Sequence, residues 1–265
     1  MRNVGIARLK VVQKDQMSIV CEQYGKAPLQ LHQPVYLQKK PYPTVFLKTP
    51  SSGLLDGDSH ILDVVVEENA SLTLKTQAAC LIYPGQSIQE IRIRLNENSS
   101  LQFLPHPLIF ARSAHLIQKI RIDMQETSKL LFGESWRAGR IAMSEKWQFD
   151  CFDNTVEIFV GQRLAFKERF NLLPQVNDPK HDLRFGKYTA FDTIFEFDKV
   201  LPMIDGTDHT RSPLEELSGQ LCSNPATART FEQTSIKQQD QMSQPNERLV
   251  WCMSRQNYKI SRVLG

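Results

Sequence analysis

The strongest constraint on this chain is a repeat in residues 61 to 136. With Val66, Leu95 and Met124 aligned, three similar segments fall into register at a period of 29. The first reads VVVEENASLTLKT, the second IRIRLNENSSLQFL and the third IRIDMQETSKLLFG. Each is an apolar/polar alternating run, then five polar residues (Glu67–Ser71, Asn96–Ser100, Gln125–Lys129), then a second alternating run. Alternation at period 2 marks half-buried strands, and short Asn/Ser-rich connectors are turn chemistry. A fixed period of this size predicts units that bury their faces by stacking on their neighbours. The expected fold is an all-β body of stacked strand-turn-strand units, a β-solenoid or layered sheets. Three ordinary hairpins in a sandwich or barrel are the alternative.

Either side of the repeat the strand signal continues. Residues 5 to 21 alternate around Gln13–Gln16, and Val156–Val160, Gly161-Gln162 and Arg163–Phe166 predict a hairpin with a two-residue type II′ connection. Residues 145 to 152 return to alternation, Val45–Leu47 and Tyr188–Phe197 read as strands, and prolines at 28 and 41 confine the short piece between them to an edge or a loop. From about residue 201 the character changes. Ser212-Pro213-Leu214-Glu215-Glu216 is a helix start, and a helix is expected from Pro213 to about Cys222. A mobile loop is expected over about 225–246 and a second helix from Leu249 to about Val263. The chain therefore reads as a single domain over 1–265, with a β body to about residue 200 and a helical appendage over 201–265.

Composition excludes several functions. A net charge of +3 in 265 residues gives no electrostatic footprint for nucleic acid or a membrane surface. The N-terminus has no apolar export core, and no uninterrupted apolar run approaches membrane-spanning length, so a cytoplasmic protein is expected. The five cysteines are odd in number and contain no Cys-x-x-Cys, so they are expected reduced and buried. No nucleophile motif, phosphate loop or dinucleotide fingerprint is present, and the six histidines form no local metal-binding pair. What stands out is a set of polar residues in unusual loops. Asp58 lies in the turn-dense Pro50–Asp58 passage, Glu134 and Glu145 flank Gly139, and Arg140 sits between them. Thr76-Gln77 is polar where the first repeat ends, and Pro105 and Pro107 halt the second. The carboxylates and Arg140 read either as a polar cluster at the ends of the repeats or as a structural salt-bridge network.

In order and spacing these residues resemble a known family. Pro50–Asp58, Thr76-Gln77 with Tyr83, Phe103-Leu104-Pro105, then Glu134, Gly139-Arg140 and Glu145 are similar to the urease accessory protein D family (UreD, also called UreH). Pro28-Leu29 and Arg163-Leu164 with Glu168-Arg169 agree as well. The chain departs from the family pattern at Asp56-Gly57-Asp58 (usually Gly-Gly-Asp), Lys75 (usually Thr), His106 (usually Gln) and Ser144 (usually Gly).

The resemblance implies a non-enzymatic assembly factor with an all-β body and two helices. It would bind apo-urease and accessory protein F, which recruits the GTPase G, and Ni²⁺ would pass through an internal tunnel with no tightly bound cofactor. A conduit must hold its ion weakly, which scattered oxygens do better than His/Cys chelation. On that basis Asp58, Thr76, Glu134 and Glu145 are the expected lining, with Arg140 anchoring Glu134. Leu214, Leu217 and Leu221 of the first helix, with Leu249, Trp251 and Val263 of the second, are the expected contacts for protein F. The readings from other classes are a β-solenoid enzyme acting on polysaccharide, which needs a groove of carboxylates and aromatics, and another metallocentre-assembly scaffold.

Overall fold

A computed structural model describes residues 3–51, 53–176, 179, 185, 187–198, 249–255 and 258–264. In chain order the strands are β1 (Val4–Lys14), β2 (Met17–Lys26), β3 (Gln30–Leu31), β4 (Thr44–Lys48), β5 (Gly53–Leu54) and β6 (Ser59–Val66). Then come β7 (Ser71–Thr76), β8 (Cys80–Ile82), β9 (Gly85–Leu95), β10 (Ser100–Phe103), β11 (Leu108–Phe110) and β12 (Ala114–Met124). The last six are β13 (Lys129–Arg137), β14 (Cys151–Val160), β15 (Arg163–Leu172), β16 (Ala190–Phe197), β17 (Leu249–Arg255) and β18 (Tyr258–Leu264).

The expectation of an all-β body holds. Each repeat sends one strand into each of two sheets, because its polar connector turns the chain from one sheet to the other. The first sheet runs β15-β14-β12-β9-β6-β1-β2. Within it Val66, Leu95, Met124 and Val160 lie side by side in parallel register, as the 29-residue alignment requires. The second sheet runs β17-β18-β16-β13-β10-β7-β4-β3, with β5, β8 and β11 attached beside β13. The connectors stack too: the Ala70, Ser99 and Ser128 amides each donate to the carbonyl three residues earlier. Asn69 and Asn98 take left-handed backbone there (φ 61° and 54°), a conformation asparagine tolerates well.

Several expectations are corrected. The architecture is a pair of mixed sheets facing each other, not a solenoid. The parallel block is short and is flanked by antiparallel strands, β2 and β15 in the first sheet and β3 and β16 in the second. Nor is there a helix at 249–263. That stretch is an antiparallel pair, β17 with β18, added to the edge of β16. Leu249-Val250-Trp251 is rich in β-branched and aromatic residues, and the edge of β16 supplies the missing hydrogen-bond partners. The helix expected at Pro213–Cys222 and the loop at 225–246 lie outside the described residues. The Gly161-Gln162 hairpin forms as expected, with Gly161 at φ 61°. Residues 145–150 are loop, and β14 starts only at Cys151. Cys21 is exposed, against the expectation that the cysteines are buried.

The sheets enclose two separate apolar cores. One is aliphatic with a few phenylalanines, built on inward residues such as Leu9, Val64, Ile93, Ile122 and Ile158 against Leu72, Leu101 and Phe132. The other is aromatic, with Trp136 stacked on Phe191 at 4.0 Å and Phe110 packed 4.8 Å from Phe152. Solvent-facing positions of the first sheet carry ion pairs across strands, such as Arg8–Asp63 and Lys167–Glu157.

Candidate functional site: a polar layer between two cores

Between the two cores the inward face of the first sheet turns polar for one row. His60 on β6, Gln89 on β9, Gln118 on β12 and Asn154 on β14 are paired neighbours in register. One step along, the same strands offer Leu62, Ile91, Ile120 and Val156. His60, Gln118 and Asn154 are buried, and the Gln118 amide donates to Gln89 Oε1 at 2.6 Å. His60 Nε2 and Asn154 Oδ1 have no hydrogen-bond partner in the protein.

At the same level the second sheet is interrupted. Strand β4 stops at Lys48 and β5 resumes at Gly53; β7 stops at Thr76 and β8 resumes at Cys80; β10 stops at Phe103 and β11 resumes at Leu108. Pro50, Pro105 and Pro107 fall in these gaps, where they remove backbone donors that a continued ladder would need. Beside the gap β13 runs through, backed without a break by β16, and it pairs β10 at Lys129–Phe132 and β11 at Trp136–Arg137, which leaves Gly133, Glu134 and Ser135 facing the gap. The result is a cavity of about 250 Å³ between the sheets, lined by His60, Gln89, Gln118, Glu134, Thr76 and His106 among others.

Glu134 is the acid of this layer. Asn154 Nδ2 donates to its Oε1 at 2.9 Å across the sheets. Burial pushes its carboxyl up to about 7, with the Asn154 bond and Arg262 pulling it down and Glu168 pushing it up. Burial likewise lowers His60 to about 4 against the opposing field of Asp58, so the imidazole is neutral at neutral pH. Thr76 Oγ1 accepts from the His106 amide at 2.7 Å and lies 3.1 Å from its Nδ1, which fixes one rim of the opening. Cys80, also on the wall, is a protonated thiol whose pKa burial raises to about 12.

Thr76 and Glu134 are thus brought together, but the other expected lining residues are not. Asp58 is 5% exposed and spends its carboxylate on its own loop, accepting from the Leu55 amide at 2.9 Å. It reaches the cavity only through the field it exerts on His60. Glu145 and Arg140 form a separate pair, with Arg140 Nε and Nη2 each 2.6 Å from a carboxylate oxygen. Arg140 therefore does not anchor Glu134; Asn154 does. The Arg140 bonds hold the Glu145 carboxyl below its ordinary range, and the Arg112 amide adds a third donor at 3.3 Å. This pair closes a strained loop in which Ser144 and Trp147 are left-handed (φ 60° and 59°) and Gly139 sits at φ 149°. Of the expected partner contacts, Leu249, Trp251 and Val263 lie on β17 and β18, and Leu214, Leu217 and Leu221 lie outside the described residues.

His60, Gln89 and Gln118 escaped the sequence reading although the signal was present. They are themselves spaced by 29, each six residues before an aligned apolar position. A polar residue repeated at an inward register is the mark of a polar layer. Asn154 follows from the same register, because it pairs with Gln118. Among the described residues, no group of three or more His, Cys, Asp or Glu side chains converges as metal ligands, and no helix is long and apolar enough to cross a membrane.

Comparison with known proteins gives one consistent result. A family model described as UreD urease accessory protein matches residues 3–252. A urease accessory protein UreD from Synechococcus sp. (strain JA-2-3B'a(2-13)) is 37% identical over 180 residues, 64% of this chain and 65% of the relative. Another, from Actinomyces naeslundii, is 30% identical over 177 residues, 66% of this chain and 65% of the relative. A third, from Bacillus sp. (strain TB-90), is 26% identical over 200 residues, 74% of this chain and 73% of the relative. The chain thus spans slightly less than two thirds of the length of the Synechococcus and Actinomyces relatives. With the family pattern matched across nearly all of its length, the chain belongs to the UreD urease accessory protein family.

Proposed function

We propose that this chain is a urease maturation factor that docks on apo-urease and on accessory protein F, which links it to the GTPase G, and passes Ni²⁺ along its polar layer. It works as a scaffold, not as a catalyst, in the compartment where urease is assembled. The observation that carries the reading is the polar row His60, Gln89 and Gln118 facing Glu134 across a cavity between two apolar cores, with Asn154, next in the row, bonded directly to Glu134. Burying so many polar groups where Ile and Leu would pack is costly for stability alone. Amide, imidazole and hydroxyl groups around one carboxylate suit brief contact with a borderline divalent ion better than retention. The family membership, together with the relatives' names, supplies urease as the destination.

The test is Glu134→Ala, co-expressed with the urease subunits and the other accessory proteins. The reading expects the complex to survive in a pull-down while the nickel content and activity of the urease fall several-fold. Full activation by the variant would remove the conduit. For partner docking, deletion of 225–265 that leaves the complex intact would remove the assignment of protein F binding to the C-terminal region.

A further inference from the structure

Past Glu134 the polar layer continues into a second cavity of about 200 Å³, on the other flank of β13. Its wall includes Glu134, Asn154, Glu168, Thr193 and Arg262. Glu134 lines both cavities and is held at the partition between them by Asn154. At the far side, Arg262 on β18 forms an ion pair with Glu168 on β15, joining the outer parts of the two sheets. Both side chains are less than a third exposed. Arg262 Nε also donates to Thr193 Oγ1 at 3.3 Å.

Two carboxylates from opposite sheets therefore face one chamber, and one guanidinium serves both. Arg262 pairs directly with Glu168, and its charge also opposes the repulsion that Glu168 exerts on Glu134. The third oxygen is Asn154 Oδ1, on a residue 1% exposed that lines the chamber; it has no partner in the protein. Two carboxylates and an amide oxygen form a donor set for a divalent cation. The guanidinium supplies the positive charge on Glu168.

We propose that this chamber is a divalent-cation position kept from retaining its ion by Arg262, which acts as a tethered, displaceable counter-ion between Glu168 and Glu134. A passing cation competes with the guanidinium for Glu168; when the ion leaves, Arg262 pairs again and the chamber returns to near neutrality. Its role in nickel passage rests on the conduit reading, but the cation position does not, and the two are tested separately.

The measurement is Ni²⁺ binding to the purified full chain by isothermal titration near neutral pH. Arg262→Met is expected to bind Ni²⁺ at least tenfold more tightly than the unmodified chain. Adding Glu168→Gln to that variant is expected to return the affinity to the starting value. Where Arg262→Met lacks the native circular-dichroism spectrum, Arg262→Gln, which keeps a donor for Thr193, replaces it. No gain in affinity on removing the guanidinium overturns the proposal, as does a gain that survives Glu168→Gln, because the ion is then held elsewhere. In cells on limiting nickel, Arg262→Met is expected to lower urease activation, with recovery in excess nickel. Tighter binding with unchanged activation would leave Arg262 as the counter-ion and remove the conduit.

Discussion

The two ionisable groups of the polar layer place opposite pH dependences on the fold, and substituting each in turn separates them. His60 is 2% exposed, and burial lowers it from 6.5 to about 4. Its contribution to stability is present above the unfolded value and is lost as pH falls towards the folded one, because the unfolded chain takes up the proton first. Glu134 runs the other way, raised from 4.5 to about 7. Its contribution is present below the unfolded value and is lost as pH rises through the folded one. At about 1.4 kcal/mol per pH unit, each effect amounts to about 2–3 kcal/mol between roughly pH 4.5 and pH 7. In the unmodified protein the two nearly cancel. His60→Leu should therefore be more favourable, relative to the parent, by about 2–3 kcal/mol at about pH 4.5 than at about pH 7. Glu134→Gln should show the mirror image, gaining on the parent at about pH 7. Guanidinium chloride unfolding of the three proteins at both pH values, followed by circular dichroism, measures this, and other titrating groups cancel in the comparison. If either variant keeps the same stability difference at both pH values, or if both shift in the same direction, the reasoning about this layer is wrong.

Two further predictions follow from the loops at the end of the stack. Asp58→Ala, which leaves the Leu55 amide without its buried acceptor, should cost about 1 kcal/mol, while Asp58→Asn should restore most of it. That pattern in thermal unfolding would identify Asp58 as a loop clamp; equal losses for both variants would require its charge instead. In Gly139→Ala, the new methyl would lie 2.1 Å from the Glu145 carbonyl oxygen at a backbone φ of 149°. A cost of about 2 kcal/mol or more is expected, seen as a melting temperature lower by roughly 4–8 °C.

Much of this molecule was legible in its sequence because a strict period leaves few ways to stack. The alignment of Val66, Leu95 and Met124 is the register of the first sheet. What the period could not show was its end. Whether a fourth strand continues the stack or folds back depends on the edges presented by β13 and β14, a tertiary matter that local alternation does not encode. The C-terminal pair β17 and β18 was missed for a related reason. Its residues fit a strand once β16 offers an edge, but alone the stretch also carries an apolar spacing compatible with a helix. Of the site, Thr76 and Glu134 stood out in the sequence, but the loops expected for them are strands: Thr76 ends β7 and Glu134 lies within β13. The ladder of His60, Gln89 and Gln118 carries no turn or motif signal of its own; only its inward register across three paired strands marks it. Arg140 sits near Glu134 in sequence, yet Glu145 captures it across a tight loop before any longer-range pairing can form.

The account turns on the polar row being a path for the ion, and the most direct measurement keeps the fold while making that row apolar. With Gln89 and Gln118 both replaced by leucine, as in the rows that pack the cores, the protein should fold stably and still enter the complex with urease. Nickel analysis of the urease purified from those cells should then show it several-fold depleted relative to the parent. Urease fully loaded with nickel, from a complex carrying the double substitution, would contradict the account.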